Sequence, residues 1–564
     1  MTQPSDRSGA PDQRTVPNFV ERLDVRVLDP STAVRGPGGA VPSATAYRNS
    51  RIIVNAPNRQ VADEILEAID AIAGGPDFNL VRQDSHPFNP DSPTVQRAAP
   101  SRTGDHTRTI RDRAIRLGRA QETGHPLVFA VRLMRADDNP APPADVWEIV
   151  RRLKVQSHAD KKVAVAIRDG VGLDHVMGTG TQINGAPFGI GPRMAGAPFG
   201  IGPASAAGAP FGIGPAGASV ASYALAGSGG RSPVSIVAPT PVPETTDAAT
   251  RVVVLDTGIG DHPWYHDKPE GRRVTPRVEL ADGSVIGWDV DQPSARATDP
   301  ESRAAKADVM LGFFPTHIGH GTFITGMLRQ GAPSADICAL RIMDADGVVA
   351  ETDLTDALSE LVAHQEQNPW WCDALVLSIG YYSETPEDEQ YTSGLRDLLL
   401  QLGRQGTAVF AAAGNDATDR RFYPAALADD PAFTTPRKII PLTSVAALNP
   451  DGKTVALFSN DGEWVRAYAR GANVISTVPI GIQGAVQASI SIPNQETGRT
   501  RATIDPDDYS SGFATWSGTS FAAPALAGSY LRALGQASRP TDIVKRRAIL
   551  RKVVAGAQLG KRNA

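Results

Sequence analysis

Hydrophobic positions recur in two rhythms along this chain, and the change falls near residue 250. Upstream, short apolar runs alternate with single helical stripes. Arg51-Ile52-Ile53-Val54 predicts a strand. Val61, Ile65, Ile69 and Ile72, with Leu66 beside them, mark one face of a helix that Gly74-Gly75 stops. Phe78–Val81 predicts a second strand, and a further helix is expected around 108–120. Leu127, Phe129, Val131 and Leu133 share one face of a strand over 126–134. Val146, Ile149, Val150 and Leu153 form another amphipathic stripe behind Asp145, and Lys162–Ile167 is expected to close the set as a strand.

Downstream, buried-type strands alternate with helices. Strands are expected at Arg251–Leu255, Ile337–Ile342, Ala374–Ile379, Ala408–Ala412 and within Lys438–Ala446. Helices are expected at Asp353–Ala363 and Ser393–Gln405. That alternation predicts an α/β domain with a mainly parallel sheet and helices on both faces. The upstream order, β-α-β twice over residues 51–168, is that of a smaller α+β domain with a ferredoxin-like split βαβ arrangement.

Between the two lies a stretch of different texture. Residues 178–243 hold only two charged side chains, Arg193 and Arg231, and repeat GAPFGIGP unchanged at Gly185–Pro192, Gly196–Pro203 and Gly208–Pro215. Such short Gly/Pro-rich units cannot build a solenoid and suit an extended linker. The expected organisation is a flexible arm over 1–50, the small domain over 51–168, a linker over 169–247 and the larger domain over 248–564.

With 56 Lys/Arg against 61 Asp/Glu, the net charge of −5 gives no support for nucleic-acid binding. Two cysteines, Cys338 and Cys372, exclude a disulfide scaffold and are expected as buried thiols. No apolar run has transmembrane length, and the polar N-terminus lacks a signal-like core. No membrane partner is therefore expected, and a cytoplasmic location is the default, with non-classical export left open. The tail 536–564 is strongly basic and is expected to form a final helix with a solvated basic face.

Four motifs sit at element ends. Asp256 follows the apolar run Val252–Leu255, at the strand end where α/β folds place their sites. Alone, such an aspartate is ordinarily a turn former. His320 is bracketed by Gly319 and Gly321, which frees its backbone for close approach. His317 is a rival without that bracket. Ser520 begins an apolar helix whose first turns Pro524 delimits, a position equally suited to a simple N-cap. Asn415 ends Ala411-Ala412-Ala413-Gly414-Asn415, and an amide aimed into a cleft can donate to a developing oxyanion.

Taken together, DTG at Asp256, HGT at His320, AAGN at Asn415 and SGTSxAAP at Ser520 resemble the subtilisin-like serine peptidases, the subtilases, over about 248–555. Phe521 departs from that pattern, where the family usually has Met. The resemblance implies an Asp256/His320/Ser520 triad with Asn415 as oxyanion donor, in a chain order that is the standard example for this triad. It also implies that Ser378, Ile379, Gly380 and Gly414 line the substrate. No cofactor is needed for that chemistry. Structural calcium, at Asp289/Asp291 or Asp344/Asp346, is open.

Polypeptides are the expected substrates, with the chain's own linker or N-terminal domain engaged in cis. Self-cleavage is expected somewhere in 178–243, leaving a species that begins near 195–245. Surface insertions are expected within 266–312 and about 480–512. The competing class is a catalytically silent subtilase-fold protein whose N-terminal region and repeats bind partners. All four catalytic positions are filled, which favours the enzyme.

Overall fold

The computed structural model describes residues 23–36, 39–83, 88, 117–118, 120–122, 124–136, 145–156, 161–179, 231–236, 239–242, 247–266, 274–281, 283–288, 301, 315–384, 393–484 and 487–559. The three octamer repeats, Asp289, Asp291 and most of the helix expected around 108–120 lie outside them.

The N-terminal unit comprises β1 (Val25–Leu28), β2 (Thr45–Ala56), α1 (Arg59–Ala73), β3 (Leu80–Arg82), β4 (Leu127–Arg135), α2 (Val146–Val155), α3 (Lys161–Gly170) and β5 (Val171–Gly178). Its strands pair antiparallel in the order β5-β2-β4-β3, with β1 also on β2. Asn58 caps α1 by accepting from Val61 N, and Asp145 caps α2 by accepting from Trp147 N. Ile65, Ile69, Ile149 and Leu153 pack with Ile52, Val54 and Phe129 into one core beneath the sheet.

Two expectations are corrected here. Lys162–Ile167 is helical, not a strand: Val163 and Ile167, four residues apart, are both buried in this core. The closing strand is β5, fully buried along its length and lying inside the stretch expected as linker. Likewise β1 and the start of β2 fall within the expected flexible arm.

The second unit begins with β6 (Arg231–Pro233), also inside the expected linker, and β7 (Thr250–Asp256) and β8 (Val274–Thr275). It continues with α4 (His320–Gly331), β9 (Ala335–Arg341), β10 (Val348–Ala350), α5 (Glu351–Gln367), β11 (Ala374–Leu377), α6 (Ser393–Arg404), β12 (Ala408–Ala412), β13 (Thr443–Leu448) and β14 (Ala467–Arg470). Then come β15 (Val474–Thr477), β16 (Ser491–Pro493), β17 (Thr500–Ala502), β18 (Phe513–Trp516), α7 (Thr519–Gln536) and α8 (Ile543–Gly556). Seven strands pair parallel in the order β14-β13-β12-β11-β7-β9-β8. The exposed β16–β17 hairpin occupies the stretch expected as an insertion near 480–512.

Strand periodicity of two splits the apolar run of β7 between two cores. Val253 and Leu255 pack with Leu354, Leu358 and Leu399 of α5 and α6. Val252 and Val254 face Phe323, Ile324 and Leu328 of α4 and Leu526 and Leu531 of α7. Helices α4 and α7 cross where Gly331 meets Gly528: a Cβ on Gly528 would stand 2.9 Å from Gly331 Cα. That crossing holds together the two helices that begin at His320 and Thr519.

Cys338 lies within β9 and Cys372 just before β11; both are buried and free. The basic tail differs from expectation. Arg546 of α8 is fully buried, its guanidinium 2.8 Å from Asp373 and bonded to the Gly406 and Pro540 carbonyls, so part of the basic face serves the core. Among the described residues no helix is long and apolar enough to cross a membrane.

The two units share one sheet. β10 of the second unit pairs antiparallel with β5 of the first, matching Val348 with Gly178, Val349 with Met177 and Ala350 with Val176. Helix α5 has no capping side chain of its own at Ala350. Asp174 of β5 supplies one, accepting from Thr352 N at 3.1 Å.

Candidate active site

The carboxyl ends of β7, β11 and β12 and the amino ends of α4 and α7 converge on one spot. Asp256 is the last residue of β7, and its carbonyl accepts from Ile342 N at 2.8 Å, which fixes the strand end. Its Oδ1 lies 2.8 Å from His320 Nδ1, with both side chains buried at 1% and 2% exposure. Oδ1 also accepts from Thr257 N at 2.8 Å. The ring of His320 is held edge-on by Trp516, with centroids 5.4 Å apart, and packed by Phe521. Phe521, the departure from the family pattern, thus takes a packing role beside the imidazole.

Glycines permit the close approach. A Cβ on Gly321 would lie 2.2 Å from the Gly258 carbonyl, so the turn after Asp256 and the first turn of α4 touch only because that residue has no side chain. One buried residue that sequence motifs did not reveal joins the same two turns. Glu301 accepts from Thr257 Oγ1 and, at 2.5 Å, from Thr322 Oγ1. Thr257 Oγ1 in turn accepts from Gly321 N, and Thr322 Oγ1 from Gly260 N, each at 2.8 Å.

Ser520 is the second residue of α7. Pro524, four residues on, has no N–H for the Ser520 carbonyl, and the freed carbonyl accepts from Ser378 Oγ at 3.0 Å. Ser520 Oγ points to the Ser378 carbonyl at 3.5 Å. Among the described residues no hydrogen bond yet joins Ser520 to His320. Catalytic hydrogen bonds of this kind often tighten only with the reacting complex.

Asn415 follows β12 after Gly414, whose φ of +100° turns the chain at a cost only glycine avoids. Its Oδ1 accepts from Thr519 N at 2.8 Å and Thr519 Oγ1 at 2.9 Å, which orients the amide. Its Nδ2 donates to the carbonyl of Thr179 at 2.6 Å.

That contact comes from the chain's own N-terminal unit. At the end of β5, Gly178 exchanges two 2.9 Å backbone bonds with Gly380, so Val176–Gly178 pairs with β10 on one edge and Gly178 with Gly380 on the other. The strand is held on both edges, with its last carbonyl on Asn415. A Cβ at Gly380 would lie 2.4 Å from the Tyr423 carbonyl, so nothing larger fits there. His317 does not join the His320 pair. Its Nε2 lies 2.5 Å from Thr179 Oγ1, and burial, with His320 and Arg231 nearby, pushes its pKa well below the usual value.

Among the described residues no group of three or more His, Cys, Asp or Glu could hold a metal ion. Asp344, from one of the two carboxylate pairs considered for calcium, is paired to Arg341 at 2.9 Å.

The subtilase family model (Peptidase_S8) matches residues 247–557. A thermophilic serine proteinase of Bacillus sp. (strain AK1) is 27% identical over 227 residues, covering 40% of this chain and 45% of the relative. A subtilisin-like protease of Coccidioides posadasii (strain C735) is 27% identical over 177 residues, covering 30% and 40%. The chain thus spans less than half the length of these curated relatives. A crystal structure of a lanthipeptide protease overlaps 54% of this chain and 79% of its own, with a TM-score of 0.36 and 19% identity.

Proposed function

The chain belongs to the subtilase family, and on that premise we propose that it is a serine endopeptidase whose first substrate is its own Thr179–Gly180 bond. The observation that carries the reading is the 2.6 Å bond from Asn415 Nδ2 to the Thr179 carbonyl, on a strand held along both edges. Main-chain pairing of this kind binds an extended substrate by adding a strand. An amide donor on the carbonyl is the arrangement that stabilises charge developing on that oxygen.

In this reading each residue has one role. A rotation about the Ser520 Cα–Cβ bond swings Oγ from the Ser378 carbonyl towards His320. Oγ then forms a bond to the Thr179 carbonyl carbon while its proton passes to His320 Nε2. Asp256, 2.8 Å from Nδ1, fixes the tautomer and stabilises the imidazolium. The oxyanion is held by Asn415 Nδ2–H and the Ser520 N–H. Collapse breaks the Thr179–Gly180 bond, and the His320 proton leaves on the Gly180 amine. Water, deprotonated by His320, then releases Thr179 as a carboxylate.

The same contacts that present Thr179 as substrate retain it as product. The N-terminal unit then acts as an inhibitor in cis, its βαβ–βαβ order serving to deliver β5 to the cleft. This places the favoured cut upstream of the octamer repeats, ahead of the 195–245 window that composition suggests. The test is intact-mass analysis of wild type and Ser520→Ala after the same incubation. The reading expects a fragment beginning at Gly180 in wild type alone; identical trimming of both, or none in either, rejects it.

A further inference from the structure

Four residues before Thr179, the side chain of His175 enters a closed slot. It has no exposed surface. Its Nδ1 lies 2.6 Å from Glu351 Oε2 and its Nε2 lies 2.8 Å from Glu384 Oε2. The ring stacks on Tyr381 with centroids 4.1 Å apart and planes 16° apart, and Tyr381 OH donates to Glu351 Oε1 at 3.4 Å. A neutral imidazole carries one N–H, and both ring nitrogens can donate to the two facing carboxyl groups only when the ring is protonated. Burial alone would lower the His175 pKa, but Glu384 and Glu351 override it and raise it to about 10. Burial pushes the Glu351 carboxyl above its usual range, while His175 holds Glu384 below it against burial, so the slot's geometry and charge are matched to a cationic guest.

The two carboxylates belong to the cleft walls and not to the guest's own unit. Glu351 directly follows β10, the strand that pairs with Val176–Gly178 on one edge. Glu384 lies four residues after Gly380, which pairs with Gly178 on the other edge. Any peptide docked in the register of β5 therefore presents its fifth residue, counting back from the bond cut, to both carboxylates. The nearby Arg420 does not fill the slot: it donates to the Ala44 and Ser383 carbonyls and stacks on Tyr382.

We propose that Glu351 and Glu384 form a specificity subsite for a positively charged side chain, His, Lys or Arg, at the fifth position before the scissile bond. A neutral side chain there would leave Glu351 Oε2 and Glu384 Oε2 without their charged partner, which is costly in a site that excludes water. This inference rests on the peptidase reading and assigns its substrates a class: extended segments with one basic residue upstream of a small, apolar stretch.

The test uses the full chain and acetyl-Asp-X-Val-Met-Gly-Thr peptides carrying a fluorogenic C-terminal amide, with X as His, Lys, Arg, Gln or Leu. At pH 6.5 the His, Lys and Arg peptides are expected to show kcat/KM at least tenfold above Gln and Leu. In Glu351→Gln/Glu384→Gln the His-to-Gln ratio is expected to fall to within about twofold of one. Equal cleavage of the His and Gln peptides by the wild-type chain overturns the proposal without needing any variant. So does a preference that survives the double substitution. Cleavage of the chain's own bond with no cleavage of any peptide would restrict the slot to holding β5, and overturns it as a substrate site. Absence of every Ser520-dependent cleavage overturns the peptidase reading itself.

Discussion

The seven-stranded sheet and the N-terminal sheet solve the edge of the molecule's cleft in opposite ways. The parallel sheet is complete within one stretch of chain, and the candidate site residues sit where strands end and helices start. The antiparallel sheet is finished by β10, a strand borrowed from the other unit, and its own last strand runs on into the site. On the proposed reading one unit supplies the reacting groups and the other a segment that docks as substrate. If Thr179 is cut as proposed, inhibition and first turnover share the same contacts, because main-chain pairing binds substrate and product alike.

The largest effect is expected from removing a member of the proposed triad. His320→Ala should lower peptide cleavage by on the order of 10⁶-fold, because triad members act as a unit. Binding of the N-terminal unit should persist, since none of its backbone bonds to β10 and Gly380 involves His320. Steady-state kinetics with limited proteolysis of the complex checks both halves. Asn415→Ala touches both units. Turnover should fall about 10²- to 10³-fold with the loss of one oxyanion donor, and the melting temperature should fall as well, because the buried Thr519 N and Oγ1 lose their acceptor and the Thr179 carbonyl its donor.

Glu301→Gln sharpens the comparison within the catalytic unit. It weakens the bridge between the turn after Asp256 and the start of α4 without removing a reacting group. A roughly tenfold fall in kcat with KM little changed is expected, because small misplacements of catalytic groups are costly. Partial recovery of kcat is expected in Glu301→Asp; a loss in Glu301→Asp equal to that in Glu301→Gln would instead indicate a generic packing role.

The smallest effect is a pH dependence of docking. His175 has its folded pKa raised to about 10 from an ordinary 6.5, chiefly by Glu384 and Glu351 acting against burial. Its contribution is therefore fully present below about pH 6.5 and fades as the pH rises through 10. The facing Glu384 is held below its usual value by His175 against the effect of burial, so its share is lost only in acid. The Tm gap between wild type and His175→Gln should be widest near pH 6 and narrow by pH 10; a constant gap would mean that charge plays no part.

Much of the catalytic unit was legible in the sequence because its motifs fix local geometry. Gly319, Gly321 and Gly414 mark close approaches and turns, and Pro524 marks a missing hydrogen bond that Ser378 answers. The N-terminal unit was harder to read. Lys162–Ile167 alternates apolar residues at a spacing of two, yet Val163 and Ile167 also share a helical face, and packing against the N-terminal core decided the matter. β5 contains Asp174 and His175, polar residues that read as loop. Both are buried because their partners, Thr352 N and the Glu351/Glu384 pair, lie about 180 to 210 residues away in sequence. Glu301 has no motif around it, and Arg546 in a basic tail gives no hint of Asp373. Long-range polar partners are what sequence patterning leaves hidden.

The central claim is that Thr179 is seated as the acyl residue of a bond the chain cuts for itself. N-terminal sequencing and intact mass of the fragments from wild-type protein, beside Ser520→Ala treated identically, test it directly. The account predicts a new N-terminus at Gly180, a retained piece ending at Thr179, and a full-length Ser520→Ala chain. A wild-type chain that stays whole, or one cut only within the repeats, would contradict it.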